Sequence, residues 1–163
     1  MTDYALSAYF GTTHDELLDT IPHAASLGMK VVEVGPCSAV LRLPYRDDLV
    51  GDPTRGVVFG GVITTLIDQA LGLAVSCSLE DLRPIATLDL RIDYLRPAEP
   101  GQTLFGRGEC YKLTRSVGFA RGIAYERSDA DPFATCLATF MLGSTMGDGP
   151  YVAALAEYAR KTK

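Results

Sequence analysis

The longest apolar stretch of the chain runs from Gly60 to Val75, GGVITTLIDQALGLAV, and a single acidic residue interrupts it. Its length and its lack of proline favour a helix over a strand. Because the stretch is apolar on nearly all sides, we expect the helix to be buried on most of its surface. The interruption, Asp68, raises the question of why a core helix would hold a carboxylate.

Period-two alternation follows this helix and predicts four strands at hairpin spacing. Residues 85–97 read IATLDLRIDYLRP, and the alternation predicts one face with Leu88, Leu90, Ile92 and Tyr94 and an opposite face with Thr87, Asp89, Arg91 and Asp93. The other three strands are expected within residues 103–115, 117–128 and 132–143.

The first third of the chain predicts a helix and a strand. Residues 12–28 contain a capping box, with Thr13 as the N-cap and Glu16 three positions later, and Pro22 is expected to end or restart that helix. Residues 29–45, MKVVEVGPCSAVLRLPY, predict one long strand with a bend at Gly35 and Pro36, followed by a polar loop.

These elements predict an α+β fold in which a long antiparallel sheet wraps around one central helix. A short amphipathic helix over residues 151–162 is expected to follow the sheet. The chain has 163 residues, of which 47% are hydrophobic, so we expect one domain over 1–163. A single sheet leaves two strand edges open, and such edges are usually covered by pairing with another copy.

Charge and cysteine usage exclude several classes of protein. The net charge of −5 argues against a nucleic-acid-binding protein. The four cysteines have no metal-ligand spacing, and we expect them to be reduced, which predicts a cytoplasmic protein. The N-terminus does not resemble a signal peptide, and the polar residues within the apolar stretch argue against a membrane span. His14 and His23 lie outside every motif, so neither a histidine-dependent triad nor a metal cage is expected.

Gly60 and Gly61 stand where the central helix begins. The first amides of a helix have no partner within the helix, and without side chains nearby a carbonyl group can approach them closely. The two glycines therefore suit an oxyanion hole. The alternative is that they only allow tight packing at a crowded helix start.

Asp68 lies eight residues after Gly60, which is about 12 Å along a helix axis. Attack on a carbonyl requires the reacting groups to come within about 3.5 Å, so Asp68 cannot act on a carbonyl held at the start of its own helix. It can act on one held by a second copy, which predicts a site built from two chains. The alternative is a carboxylate at a wet interface or paired with an arginine.

Three stretches of this sequence together resemble acyl-CoA thioesterases of the PaaI type, which have the hotdog fold. They are GVVFGGVITTLIDQALGLAV, ATLDLRIDYLRPAEPG and GECYKLTRSVGFARGIAY, and the resemblance covers roughly residues 21 to 143. It implies a dimer with a continuous sheet, with dimer or tetramer left open, and hydrolysis of an acyl-CoA thioester at the dimer interface. The substrate carries coenzyme A, and no separate cofactor or metal is implied.

The resemblance also assigns roles to individual residues. The amide of Gly60 would stabilise the oxyanion, Asp68 would be the general base or the nucleophile, and Thr87 would hold the attacking water. Thr87 is equally well explained as a β-branched strand residue. Phe59 and Gly61 would line the substrate site at the helix start.

Further positions have weaker assignments. Gly72 would leave space for the acyl group or for the helix of a partner subunit, or would serve plain helix packing. Arg115 and Ser116, in a predicted hairpin turn, would contact the phosphates of coenzyme A, with Lys112 and Arg121 as weaker candidates; a surface arginine is the ordinary explanation for Arg115.

The sequence departs from the resembled pattern at two positions. Many relatives have His-Gly-Gly where this chain has Phe59-Gly60-Gly61, and Pro53 falls near the position of an upstream asparagine, for which Asp52 or Thr54 would have to substitute. A hotdog dehydratase is the weakest hypothesis, because those enzymes depend on a histidine there. A protein that binds acyl-CoA without hydrolysing it is the main alternative to a thioesterase.

Overall fold

A computed structural model describes residues 17–80 and 83–143 of the chain. Short 3₁₀ turns occupy Leu17–Thr20 and Asp47–Leu49. The α-helices and β-strands follow in this order: α1 (Pro22–Leu27), β1 (Lys30–Val34), β2 (Ser38–Leu43), β3 (Val50–Asp52), β4 (Val57–Val58), α2 (Gly60–Cys77), β5 (Ile85–Tyr94), β6 (Leu104–Leu113), β7 (Val117–Tyr125) and β8 (Ala134–Leu142).

Six strands form one antiparallel sheet in the order β1-β2-β6-β7-β8-β5, and β3 pairs with β4 in a separate two-stranded ribbon. Helix α2 packs across the sheet, mainly against β2, β6 and β7, and its apolar side chains form the centre of the core. This arrangement confirms the predicted α+β hotdog architecture. By length and composition α2 could cross a membrane, but nine of its residues are buried inside the protein, as expected for a core helix.

Glycines on β6 let the backbone of α2 lie unusually close to the sheet. A Cβ atom on Gly108 would lie 2.5 Å from the carbonyl oxygen of Ala70, and one on Gly106 would lie 3.1 Å from the Leu66 side chain. A larger residue at position 108 would require the backbone of α2 to move, and one at position 106 would require Leu66 to shift by a few tenths of an ångström. The height of α2 above the sheet is therefore set by β6, and with it the position of Asp68.

The prediction of a single bent strand over residues 29–45 is wrong. The chain reverses at Gly35–Cys37, and β1 pairs antiparallel with β2, for example Val31 with Leu41. The Gly35 amide donates a hydrogen bond to the Ser38 carbonyl at 2.8 Å and closes the turn. Alternation on both sides of a Gly-Pro pair is the same for a bent strand and for a tight hairpin, so the pattern did not distinguish them.

The predicted faces of β5 are also wrong at one end. Thr87 pairs with Phe140 and Asp89 pairs with Thr139, so Leu88 is an extra residue without a partner in the β5–β8 ladder. This β-bulge reverses the alternation. As a result Thr87 points toward α2, on the same side of the sheet as Leu90 and Ile92, and not toward the outer face with the charged residues of β5.

The chain that leaves β5 is held by a buried ion pair. Arg96 donates two hydrogen bonds of 2.9 Å to the Glu126 carboxylate, whose side chain is only 2% exposed, and the Glu99 amide donates a third of 2.8 Å. Burial alone raises the pKa of Glu126, but the hydrogen bonds from Arg96 and Glu99 outweigh it, so this pKa lies below its usual range. The Leu95 amide also bonds to the Phe133 carbonyl, so the end of β5 is fixed on both sides.

Other predictions have mixed outcomes. Pro22 is the first residue of α1, as expected for a proline that restarts a helix. All four cysteines are free; Cys77 and Cys136 are buried, and burial raises the pKa of each thiol to about 12. The capping box at Thr13 and Glu16 and the helix predicted over residues 151–162 lie outside the described residues.

Candidate active site

Helix α2 begins at Gly60 directly after a short extended segment, and its first amides are available to a ligand. Phe59 is the N-cap but provides no side-chain hydrogen bond. The Phe59 carbonyl accepts from the Val62 amide at 3.0 Å, whereas the amides of Gly60 and Gly61 donate to no group within residues 17–80 and 83–143. Both glycines are exposed. Two unpartnered amides at the positive end of an 18-residue helix suit an oxygen with partial negative charge.

Phe59 forms one wall beside these amides. Its ring lies against the α-carbon side of Gly61, where a Cβ atom would come within 2.6 Å of the ring, and it also contacts the position of Gly51 on β3. The ring is nevertheless 60% exposed. The Phe59 side chain is thus held beside the first residues of the helix while most of it stays exposed.

The side chains of Asp52 and Thr54 are engaged with each other. They bond to each other at the turn between β3 and β4: the Asp52 carboxylate accepts from the Thr54 hydroxyl at 2.6 Å and from the Thr54 amide at 3.0 Å. The hydroxyl hydrogen bond lowers the pKa of Asp52. The prediction that either residue substitutes for the missing asparagine therefore has no support in this arrangement.

Asp68 and Thr87 lie together, two turns further along α2. The Thr87 hydroxyl donates a hydrogen bond of 2.8 Å to Oδ1 of Asp68. Asp68 is half-buried, and within the part of the chain that the structure describes its carboxylate forms no ion pair. Among the described residues, Asp68 is therefore not paired with an arginine, as one alternative had it. The second oxygen, Oδ2, is left for a water or a substrate.

Sequence reasoning did not single out Tyr94, which lies at the other end of β5. Its hydroxyl lies 3.3 Å from the Gly60 carbonyl oxygen and half of the residue is exposed. The alternation did place Tyr94 on the same face of β5 as Leu90 and Ile92, but nothing in the sequence showed that β5 runs antiparallel to α2. That direction brings the last residue of the strand to the first residue of the helix.

The two groups of residues are separated within one subunit. Gly60 and Tyr94 lie where α2 begins and β5 ends, whereas Asp68 and Thr87 lie about 12 Å further along the helix. The structure therefore brings together Asp68 with Thr87, and Phe59 with Gly60 and Gly61. Within one subunit the pair Asp68 and Thr87 remains apart from the group formed by Phe59, Gly60 and Gly61.

Gly72 is buried and faces the side chains of Ile85 and Phe140, which lie 3.4 and 3.5 Å from the position of a Cβ atom. These are ordinary van der Waals distances. Of the three interpretations of Gly72, this environment supports plain packing of the helix.

Arg115 and Ser116 are exposed in the turn between β6 and β7, as predicted. The Ser116 carbonyl accepts from the Leu142 amide at 2.8 Å, and Leu142 pairs with Ile85, so this turn lies at the end of the sheet where β5 begins. It is on the side of Asp68 and Thr87 and not on the side of Gly60. Arg121, a weaker candidate, instead forms a two-pronged ion pair with Glu109 and is oriented over the Tyr111 ring.

Comparison with known proteins gives the class to which this fold and site belong. The family model of the thioesterase superfamily matches residues 55–132, which contain the start of α2, Asp68 and all of β5. The chain belongs to this superfamily.

Two solved structures are similar to this chain over most of its length. A crystal structure of a Pseudomonas aeruginosa protein is 41% identical, with a TM-score of 0.70, covering 78% of this chain and 95% of that one. A mutant of the phenylacetic acid degradation protein PaaI from Thermus thermophilus is 28% identical, with a TM-score of 0.64, over 74% and 97% of the two chains.

Two further relatives have names that refer to an activity. The medium/long-chain acyl-CoA thioesterase YigI of Escherichia coli is 29% identical over 143 residues, 76% of this chain and 86% of YigI. A protein of Halobacterium salinarum with an esterase name is 43% identical, but over 75 residues only, so the match covers 44% of this chain and half the length of that relative.

Proposed function

We propose that this protein hydrolyses an acyl-CoA thioester to the free acid and coenzyme A, at a site to which two subunits contribute. Membership of the thioesterase superfamily and similarity to YigI and PaaI support the reaction. The observation that carries the proposal is the pair formed by Asp68 and Thr87, because it offers a carboxylate with one oxygen held and the other open.

The direction of β5 supports a two-subunit site. β5 forms one edge of the sheet and has 10 residues, twice as many as β1 at the other edge. It also carries the exposed side chains of Leu88 and Tyr94. In the proposed dimer, β5 pairs antiparallel with β5 of a second copy, and the two-fold axis lies near Leu90 and Arg91. The end of one strand then lies beside the start of the other. Gly60 of one subunit then faces Asp68 of its partner.

In the general-base route, the carbonyl oxygen of the thioester accepts hydrogen bonds at the start of α2. A water oxygen forms a bond to the carbonyl carbon, its proton moves to Asp68, and the carbonyl electron pair moves onto the oxygen, which the Gly60 amide stabilises. The electron pair then returns, the carbon–sulfur bond breaks, and the thiolate of coenzyme A takes up the proton.

The nucleophilic route uses the same residues. Asp68 would bond to the carbonyl carbon, coenzyme A would leave as the thiolate, and water would hydrolyse the resulting anhydride. Thr87 serves either route: its single hydroxyl proton is given to Asp68 Oδ1, so its oxygen can only accept, and an attacking water can donate to it.

Positions near the two groups suggest how the rest of the substrate is held. Arg115 and Ser116 lie on the Asp68 side, where the guanidinium of Arg115 is suited to the phosphates of coenzyme A. The exposed ring of Phe59 offers an apolar surface beside the thioester. We expect the enzyme to act in the cytoplasm, where its thiols stay reduced.

Release of free thiol from a panel of acyl-CoAs tests the proposal. The panel runs from acetyl-CoA to palmitoyl-CoA and includes phenylacetyl-CoA. The variant Asp68→Asn is compared with Asp89→Asn, which changes an exposed carboxylate on the outer face of β5. We expect release by the natural protein, a loss of at least about 100-fold in Asp68→Asn, and no change in Asp89→Asn.

Two outcomes would contradict the proposal. Equal release by Asp68→Asn would remove this carboxylate from the mechanism. Tight binding of acyl-CoA without release by the natural protein would instead support the alternative of a binding protein, for which the missing histidine at Phe59 is the motivating observation.

Isotope transfer separates the two routes. In a single turnover in water labelled with ¹⁸O, the nucleophilic route incorporates label into the Asp68 carboxylate whenever water attacks the aspartyl side of the anhydride. The general-base route leaves Asp68 unlabelled and places the label in the acid product. Mass spectrometry of the peptide that contains Asp68 distinguishes these results.

A further inference from the structure

The hydroxyl of Tyr94 lies where it can contact a bound substrate as well as the protein. It is the last residue of β5, and its hydroxyl lies 3.3 Å from the Gly60 carbonyl oxygen and 3.7 Å from the position that a Cβ atom on Gly60 would take. Half of the residue is exposed to solvent. The hydroxyl thus lies beside the first residue of α2, on the side where a substrate would approach.

The Gly60 carbonyl does not need this hydroxyl. It already accepts a hydrogen bond of 3.0 Å from the Thr64 hydroxyl, and as a helix carbonyl it also accepts from the amide four residues later. A distance of 3.3 Å is long for a hydroxyl donor, for which about 2.8 Å is typical. Because a phenolic hydrogen rotates freely, Tyr94 can give its proton to a better acceptor.

The unpartnered amides of Gly60 and Gly61 indicate what that acceptor is. An oxygen bound to these amides lies next to the residue that the Tyr94 hydroxyl already contacts. Phe59 has no group that can donate to the same oxygen, whereas a histidine would. We propose that the Tyr94 hydroxyl is a second hydrogen-bond donor to the thioester carbonyl oxygen, beside the Gly60 amide. This role rests on the proposed thioesterase function.

The variant Tyr94→Phe removes the hydroxyl and retains the ring. The matched control is Tyr111→Phe, since Tyr111 is also half exposed but lies on the outer face of the sheet. A donor that acts mainly on the developing oxyanion lowers kcat, with little effect on KM. We expect kcat of Tyr94→Phe to fall by between about 10- and 100-fold, with KM, Tm and the control variant unchanged.

A thioether analogue of acyl-CoA provides a second readout, because it lacks the carbonyl oxygen. We expect the natural protein and Tyr94→Phe to bind it with the same Kd. A purely structural role for Tyr94 would instead change this Kd or lower Tm.

The possible failures are distinguishable. No thiol release by the natural protein overturns the proposed function, and this role with it. Release by the natural protein with an equal kcat in Tyr94→Phe overturns the role of Tyr94 alone, as does a drop of the same size in Tyr111→Phe.

Discussion

Replacement of Gly60 by proline deletes the one amide hydrogen on which the proposed chemistry depends. The site suits this change. Gly60 is the first residue of α2, where a proline is well tolerated because the amide has no partner within the helix. The preceding residue, Phe59, has φ −60° and ψ 132°, within the extended region that a residue before proline prefers.

The expected effects on stability and on activity have opposite signs. Proline at a compatible position raises the free energy of unfolding by about 0.4–1 kcal/mol, because it restricts the unfolded chain. Loss of one oxyanion donor costs about 3–4 kcal/mol of transition-state stabilisation, which is about 100- to 1,000-fold in kcat. Gly60→Ala is the control: its Cβ atom would meet only the Tyr94 hydroxyl at 3.7 Å, and it retains the amide hydrogen.

Urea unfolding and thiol release on the same preparations provide the test. We expect Gly60→Pro to unfold at the same or a higher urea concentration while its kcat falls far below that of Gly60→Ala. If the two variants have similar kcat values, the amide of Gly60 is not an oxyanion donor. Tight packing at the helix start would then explain the two glycines.

Three further predictions concern the fold. Glu126→Gln should lower the free energy of unfolding by about 2–3 kcal/mol, since Arg96 loses a buried charged partner. Because the pKa of Glu126 is lowered in the folded state, the difference in unfolding free energy between the natural protein and this variant should be present above about pH 4.3 and shrink as the pH falls below it. Urea unfolding at a series of pH values from acid to neutral measures this difference. Gly72→Ala should raise stability by up to about 1 kcal/mol, and a loss of more than that in urea unfolding would show that the contacts around it are tighter than described. At pH 8 a thiol reagent should modify the exposed Cys37 rapidly and the buried Cys136 only on unfolding, so equal rates by peptide mass spectrometry would contradict the described core.

The sequence predicted the elements whose pattern is strong over many residues. The stretch from Gly60 forms α2, as its length, its lack of proline and its mostly apolar composition predicted. The four alternating stretches form β5 to β8, because the alternation in each continues over enough residues to indicate a strand. Helix α2 and strand β5 contain Gly60, Gly61, Asp68, Gly72 and Thr87, whereas Phe59 precedes α2 and Arg115 and Ser116 lie in the turn between β6 and β7.

What the sequence did not predict depends on single residues. The bulge at Leu88 adds one residue to β5 and turns Thr87 toward Asp68, yet an extra residue leaves the alternation on each side intact and so cannot be seen in it. The turn at Gly35 is hidden in the same way. Tyr94 was missed because its role depends on the direction of β5 relative to α2, which is a property of the assembled fold.

In the proposed site, the glycine amides and the carboxylate come from different subunits. Co-expression of two differently tagged chains, one with Gly60→Pro and one with Asp68→Asn, followed by purification on both tags, isolates the mixed dimer. We predict that each variant alone is inactive and that the mixed dimer recovers about half of the natural activity, because one of its two sites then combines an intact glycine with an intact carboxylate. If the mixed dimer is as inactive as its parents, both groups act within one subunit and the account is contradicted.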